Sequence, residues 1–475
     1  MNARGTDHYR PIAVRETLSA AAVLMSGALA AFVLTNPRSR SWAVYASDRE
    51  LDRWLSSQPT GVVVGMVLAV ITLAGLQRSG SRRIASVLAA LCVALLAGAH
   101  WIVSEIDTID TLIALHFAKT AAAGFLLGAS VALAWGFRAR QIALVLGVSA
   151  AYVLAGIASP ARGDTEYLEP ATMSTSAIGE PSWLLLAAAF VLSVAAAAVA
   201  TKDVPTQPLE QSTILAALGG SLALALTNRV LGAWIVDQEF GTGARIATVV
   251  AVSLAVVLVV TVIVARSFPD ADGVFVLATT AIAAGAITVI NDLRDPIVTV
   301  HPWLSLAVGV VAVASGMLLP ARARLSGVRR TILGIAIVAV VPLVATIAPE
   351  FGNDGPFLLV RLAVLGIGVG LTVGGCVPRW APTAALGLAL PFGSLVFAAA
   401  TTIPLSRVVT VSDSVPFELI ASTSLTPARL TGAAMFLTVV VCGLFAARLR
   451  PRPVTTASSE PHPEDSADTP PPETP

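Results

Sequence analysis

Three basic side chains inside apolar segments are the residues of this sequence best suited to chemistry. Lys119 and His116 lie three residues apart in one segment, and Arg361 lies in another. A buried cation is costly unless it faces a cavity or a partner, and side chains three residues apart share a helix face. We predict that all three line a cavity. The alternatives are that Lys119 and Arg361 extend their long stems to a polar surface and that His116 is a packed polar residue.

Two short basic turns share the pattern Ser-Gly-x-Arg-Arg, at residues 79–83 and 326–330. Glycine lets the chain reverse tightly at such a turn. The residues of interest are Gln77, Arg78, Gly80, Arg82 and Arg83 in the first turn, and Arg324, Gly327, Arg329 and Arg330 in the second.

The segments with Lys119 and Arg361 also carry the same glycine spacing. Each cation is followed by glycine five and nine residues later, as Gly124 and Gly128 in one segment and as Gly366 and Gly370 in the other. Small residues four apart allow two helices to approach closely. These glycines are predicted helix-packing positions.

Acidic residues are expected at the ends of the apolar segments and in the loops between them, rather than within the segments. The nearest candidates for proton transfer are Glu105, Asp107 and Asp110, which lie between two segments, and Asp292, which follows another segment. A site with basic residues and no buried acid would favour anionic or amphipathic ligands.

The elements that position these residues are membrane spans. The chain has 475 residues, of which 56% are apolar and 12% charged, too few charges to cover a soluble protein of this size. Apolar runs long enough to cross about 30 Å of hydrocarbon recur throughout. We predict an all-α multi-pass membrane protein with fourteen spans, near residues 15–35, 60–76, 84–104, 111–137, 141–158, 182–201, 212–235, 245–266, 273–291, 302–320, 331–348, 357–376, 381–400 and 428–447.

The distribution of arginine and lysine predicts the orientation of these spans. Basic residues concentrate in the segments that are cytoplasmic if the N-terminus is cytoplasmic, as the positive-inside rule requires. Both termini are therefore expected in the cytoplasm, with the chain in the plasma membrane. Only two of the 30 basic residues are lysine, a usage typical of high-GC bacterial genomes.

The repeated turns and glycines lie eight spans apart and in the same orientation. This spacing predicts two six-helix bundles in parallel repeat with two inserted helices. The predicted units are residues 1–201, 202–272 and 273–450, followed by a disordered cytoplasmic tail at 451–475, which is rich in Pro, Ser and acid.

The turn residues, the glycine spacing and this architecture resemble the major facilitator superfamily, in particular its fourteen-span drug:proton antiporter branch. The family's turn motif is Gly-x-x-x-Asp-Arg-x-Gly-Arg-Arg, and here Gln77 occupies the aspartate position. The span-5 Gly-Pro signature of that branch is missing, since no proline follows Gly147. The resemblance implies alternating access, with the basic turns acting as gates between the bundles.

We therefore predict a secondary transporter, not an enzyme, that exports a hydrophobic, amphipathic or anionic small molecule, with Lys119, His116 and Arg361 in the substrate cavity. Proton coupling is an option. No cofactor, metal or nucleic acid is expected, and the partners are the lipid bilayer and the substrate. The alternatives are a non-transporting membrane scaffold and a polytopic glycosyltransferase-like enzyme that uses Asp48, Glu50 and Asp52 in its first outer loop.

Overall fold

The structure is a computed structural model, and every regular element in the part of the chain that it describes is a helix. The described residues are 9–35, 48–103, 108–157, 180–200, 211–236, 243–293, 300–322, 326–352, 354–393 and 425–449. The predicted tail at 451–475 lies outside them.

The described residues form fourteen helices, as the apolar runs predict. They are α1 (Tyr9–Thr35), α2 (Asp48–Ser79), α3 (Arg82–Ile102), α4 (Ile109–Ala134), α5 (Arg138–Val153), α6 (Trp183–Val199), α7 (Gln211–Val236), α8 (Gly243–Arg266), α9 (Asp270–Leu293), α10 (Pro302–Arg322), α11 (Gly327–Ile347), α12 (Gly355–Gly375), α13 (Ala381–Gly393) and α14 (Leu425–Arg448).

Ten of these helices are long and apolar enough to cross a membrane. Helices α6, α10 and α13 carry shorter apolar stretches. The apolar side chains of α3, α7 and α8 are widely exposed, as expected for surfaces that contact lipid. The protein is therefore a multi-pass membrane protein.

Two helices differ from their predicted spans. Helix α2 begins at Asp48 instead of residue 60, because hydropathy marks only the apolar part of a helix and misses its polar first turns. Helix α1 likewise begins at Tyr9 instead of residue 15. Glu16 therefore lies within α1, and Asp272 and Asp292 lie in the first and last turns of α9.

Most of the helix contacts of the first half have an equivalent in the second half, although the α4–α5 and α9–α11 contacts have no comparable counterpart among the described residues. Helix α1 packs on α4, α5 and α6, and α9 packs on α12, α13 and α14. Helices α2 and α3 both contact α4, while α10 and α11 both contact α12. Helix α3 also packs on α6, as α11 packs on α14. Adding eight to each helix number of the first half gives the pairs of the second half, so the described helices form two six-helix bundles in parallel repeat.

Helices α7 and α8 pack on each other and lie along the two bundles. Helix α7 contacts α2 and α13, and α8 contacts α9 and α14. Helix α9 is the most enclosed candidate span, because its most apolar stretch is buried completely. The inserted pair therefore bridges the bundles without interrupting their common packing order.

The helix assembly has two ends, which we name the turn end and the far end. The turn end carries the α2–α3 turn at Gly80 and Ser81 together with the starts of α5, α9 and α13. The far end carries the last residues of α3, the first residues of α4 and α6, and the last residues of α9.

Candidate functional site

Lys119 lies in a buried ion-pair cluster near the far end. Its Nζ donates a hydrogen bond to Oε1 of Glu180, and Nδ1 of His100 lies 3.2 Å from Oε2 of the same carboxylate. The side chains of Lys119 and Glu180 are only 6% and 5% exposed. Both oxygens of Glu180 thus contact basic groups from two different helices, α4 and α3.

Local structure at the start of α6 positions Glu180. Ser182 is the N-cap of this helix, and its hydroxyl accepts a hydrogen bond from the backbone N–H of Leu185 at 3.3 Å. Glu180 lies two residues before this cap. The ring of His100 packs edge-on against Trp183, with 4.5 Å between the ring centroids. The first turn of α6 therefore supports both His100 and the carboxylate that it contacts.

This cluster overturns the expectation of a site with basic residues and no buried acid. Glu180 precedes the predicted span at 182–201 and was expected in a loop, but its carboxylate is buried against Lys119. Burying a lone charge is much more costly than burying a pair, which is the physical reason that the chain supplies an acid here.

His116 is buried on α4, one turn before Lys119. A Cβ added to Gly61 of α2 would lie 2.4 Å from its Nε2 atom. The backbone carbonyl of His116 accepts a hydrogen bond from the Thr120 hydroxyl at 3.0 Å. His116 therefore lies at the close contact between α2 and α4.

Arg361 forms a second ion pair near the far end. Its Nη1 lies 2.8 Å from Oδ2 of Asp292, in the last turn of α9, and also donates a hydrogen bond of 2.9 Å to the Gly352 carbonyl. Gly352 has φ of +76°, and a Cβ there would lie 2.7 Å from Cδ of Arg361. Glycine is thus required where this loop wraps around the arginine.

The two buried cations occupy matching helices but contact different elements. Lys119 on α4 pairs with a residue just before α6, whereas Arg361 on α12 pairs with the end of α9. In the repeat, α6 corresponds to α14 and α9 corresponds to α1. The repeat therefore does not extend to the ion pairs. Only the spacing from each cation to the two glycines that follow it is the same in both bundles.

The first basic turn divides its arginines between the bundle interior and the surface. Arg82 is 8% exposed, and its guanidinium lies over the ring of Phe137, 4.1 Å from the centroid. Arg140 lies over the same ring at 4.3 Å. Its Nη2 and Nε donate hydrogen bonds of 2.7 and 3.1 Å to Glu16. Arg78 and Arg83 are exposed, and Gln77 is half-buried.

The second basic turn has a different local structure. Ser81 is the N-cap of α3, whereas Ser326, which matches Ser79, is the N-cap of α11. Helix α11 therefore starts two residues earlier in the shared pattern than α3 does. The burial of its arginines also differs from that of Arg82 and Arg83, since Arg329 is exposed and Arg330 is half-buried. Arg324 lies outside the described residues.

A contact between the bundles lies at the turn end. The indole Nε1 of Trp135, just after α4, donates a hydrogen bond of 3.1 Å to the Arg379 carbonyl, just before α13. Asp272 of α9 is 1% exposed and accepts hydrogen bonds from the backbone N–H groups of Arg379 and Trp380, at 2.8 and 3.2 Å. The segment before α13 is thus fixed to α9 and contacts the first bundle.

The predicted packing glycines lie at helix contacts in both bundles. A Cβ on Gly124 would lie 2.3 Å from the Gly65 carbonyl oxygen of α2. In the second bundle, a Cβ on Gly370 would lie 2.2 Å from the Val313 carbonyl oxygen of α10. Gly128 and Gly366 meet α2 and α10 in the same way. The structure thus places all four where a side chain would collide with a neighbouring helix.

Among the acids proposed for proton transfer, the structure describes Asp110 and Asp292, and each forms an ion pair. Asp110 forms an exposed ion pair with Arg53, at 3.0 Å between Oδ1 and Nη2. Glu105 and Asp107 lie outside the described residues, and the side chains of Asp48, Glu50 and Asp52 are not described either. Among the residues that were searched for metal ligands, no group of three suitable side chains occurs.

The predicted site residues did not include Glu180, His100, Glu16, Arg140 and Asp272. A signal existed for all five, because each is a charged or titratable residue at or near a predicted span end. Glu180 directly precedes Pro181 and the Ser182 cap, a position where a carboxylate is held rigidly. The pairing itself could not be predicted, because the partners are distant in the chain: Lys119 and Glu180, for example, are 61 residues apart.

Comparison with solved structures finds a likeness to the crystal structure of an auto-inhibited peptide transporter of the POT family. The TM-score is 0.48 and the sequences are 13% identical, over 92% of this chain and 97% of that chain. No protein-family model and no curated protein matches the chain. The repeated helix packing, rather than this likeness, carries the fold assignment given above.

Proposed function

We propose that this protein is a secondary active transporter that moves a small molecule by alternating access. The observation that carries the proposal is the repeated packing order of the two six-helix bundles. Two similar bundles that meet along an interface can rock against each other and open a central path to either side in turn. The predicted units at 1–201 and 273–450 are the proposed moving bodies, with 202–272 between them.

The proposed orientation places the turn end and both termini in the cytoplasm. It follows from the bias of arginine toward that side, and it puts Arg78, Arg83 and Arg329 at the cytoplasmic surface. The cluster of Lys119, Glu180 and His100 then lies toward the outside. A site near the outer face of a plasma membrane can exchange protons with the more acidic side of a respiring cell.

Glu180 is the proposed proton acceptor in place of Glu105, Asp107 and Asp110. A proton on Glu180 breaks its ion pair with Lys119, and loss of one partner of a buried pair is strongly unfavourable. The far end must then rearrange or receive another negative group. This supports a substrate that is amphipathic or carries an acidic group, exported as in the antiporter branch that the turn motif resembles.

The test is charge movement in proteoliposomes that contain the purified full-length protein. A panel of anionic, neutral and cationic amphipathic compounds is applied with a pH gradient of either direction, and the transient currents are recorded. Wild type is expected to give substrate- and gradient-dependent currents. Glu180→Gln is expected to abolish the dependence on the pH gradient, whereas Asp110→Asn, in an exposed ion pair, is expected to retain it.

Two outcomes would count against the proposal. Currents in Glu180→Gln that still follow the pH gradient would remove Glu180 from coupling but leave transport intact. Absence of current and of substrate flux with every compound class, in protein that remains folded, would favour the membrane scaffold alternative.

A further inference from the structure

A groove lies beside the α2–α3 turn, on the surface of the first bundle. Its volume is about 620 Å³, and it is lined by two kinds of residue. The polar part is made by the turn, and the apolar part runs along α3. The lining residues are Ser79, Gly80, Ser81, Arg83, Ile84, Val87, Leu88 and Leu91.

The polar part of the groove presents one accessible cation. Arg83 is exposed, whereas its neighbour Arg82 is buried against Phe137 and Arg140. Gly80 has φ of +63°, which only glycine adopts readily, and it reverses the chain before α3. Arg82 and Arg83 are consecutive residues in the first turn of that helix, so their side chains point about 100° apart. Arg82 therefore packs within the bundle, whereas Arg83 lines the groove.

The apolar part of the groove is an uncovered face of α3. This helix packs on α4 and α6 with its opposite face. The side chains of Ile84, Val87 and Leu91 are each roughly half exposed, and Leu95 continues the same stripe. In a multi-pass membrane protein such a face meets hydrocarbon chains.

We propose that the groove binds one anionic phospholipid. Its phosphate would lie at Arg83 and the serine hydroxyls of the turn, and an acyl chain would lie along Ile84, Val87 and Leu91. The charged part of the groove at Arg83 and its apolar part up to Leu91 lie within three turns of one helix. One amphipathic ligand can therefore contact both parts. The acidic tail at 451–475 could also meet Arg83, but it has no run of apolar residues to fill the wall on α3.

The experiment is native mass spectrometry of the full-length protein with phosphatidylglycerol and phosphatidylcholine of identical acyl chains. Wild type should bind phosphatidylglycerol preferentially. Arg83→Gln should lower that preference about fivefold, the effect of one basic residue near an anionic headgroup. Arg329→Gln is the matched control, since it removes an exposed arginine from the corresponding turn of the second bundle, and it should leave the preference unchanged.

A second pair of measurements separates the lipid from other occupants. Leu91→Trp should fill the apolar wall and lower retention of both lipids, while glycerol 3-phosphate, a headgroup without chains, should not compete. A photo-crosslinking residue at Val87 should capture lipid. Equal preference in Arg83→Gln and wild type, an equal loss in Arg329→Gln, or crosslinks to the tail at 451–475 would each overturn the proposal.

Discussion

At the scale of single residues, the candidate site is organised by charge compensation. Lys119 and Glu180 are buried together, and the buried Arg361 pairs with the half-buried Asp292. A buried pair adds little net stability, but removal of one member leaves an uncompensated charge in a poorly solvated place. Replacing one member of such a pair should therefore destabilise the folded state far more than replacing both members.

We expect Lys119→Met and Glu180→Met each to destabilise the protein by about 3–5 kcal/mol. The double variant should recover most of this loss, because both charges are then absent. The measurement is the thermal unfolding of the purified protein in detergent. As a control, Arg53→Gln with Asp110→Asn removes an exposed pair and should change the melting temperature little. Equal melting temperatures for both single variants and wild type would contradict the buried ion pair.

The sequence indicated both members of one ion pair and one member of the other. Lys119 and Arg361 are detectable because a cation inside an apolar run is conspicuous, and Asp292 was a candidate acid next to a predicted span. Glu180 was not detected, because acids near span ends are ordinary and only the folded chain shows which of them turns inward. For the same reason the expectation of basic residues without a buried acid was wrong, since it counted Lys119 without its partner.

At the scale of helices, the repeat is carried by close contacts between equivalent pairs. Gly124 brings α4 against α2, and Gly370 brings α12 against α10. The glycine spacing after Lys119 and Arg361 predicted positions of this kind, because small residues four apart are a local pattern. The basic turns were less predictable: the shared Ser-Gly-x-Arg-Arg pattern begins α3 and α11 at different points, which depends on the packing around each turn.

We expect Gly124→Ala to destabilise the α2–α4 contact by about 1–3 kcal/mol, as overpacking does. Its Cβ would lie 2.3 Å from a backbone oxygen of Gly65, which cannot rotate away as a side chain would. Gly98→Ala on α3 is the matched control, because no atom lies within 4 Å of its Cβ. That variant should gain about 0.5–1 kcal/mol from reduced backbone freedom. Unfolding of both variants in detergent measures the difference, and equal melting temperatures would contradict the described contact.

At the scale of the whole molecule, the two bundles touch at both ends. Trp135 contacts Arg379 at the turn end, and a Cβ on Gly156 would lie 2.4 Å from the Ile290 carbonyl at the far end. Hydropathy and repeat spacing predicted the number and order of helices. They could not predict the contacts between bundles, because Trp135 and Arg379 are 244 residues apart and each alone resembles an ordinary span-end residue.

Alternating access requires that the two ends do not open together. Spin labels can report this at exposed positions on both bundles, Ser79 with Ser326 at the turn end and Ile102 with Ile347 at the far end. The native cysteines Cys92, Cys376 and Cys442 are buried, so they should label slowly. Trp135→Phe removes the hydrogen bond to Arg379 and should favour the state that is open at the turn end.

Rocking of the two bundles can be measured by double electron–electron resonance on these two label pairs in lipid nanodiscs. We expect two distance populations at each end, with longer turn-end distances accompanied by shorter far-end distances, and a shift toward that state in Trp135→Phe. A single distance at both ends that neither pH nor Trp135→Phe changes would contradict a transporter that works by rocking of its two bundles.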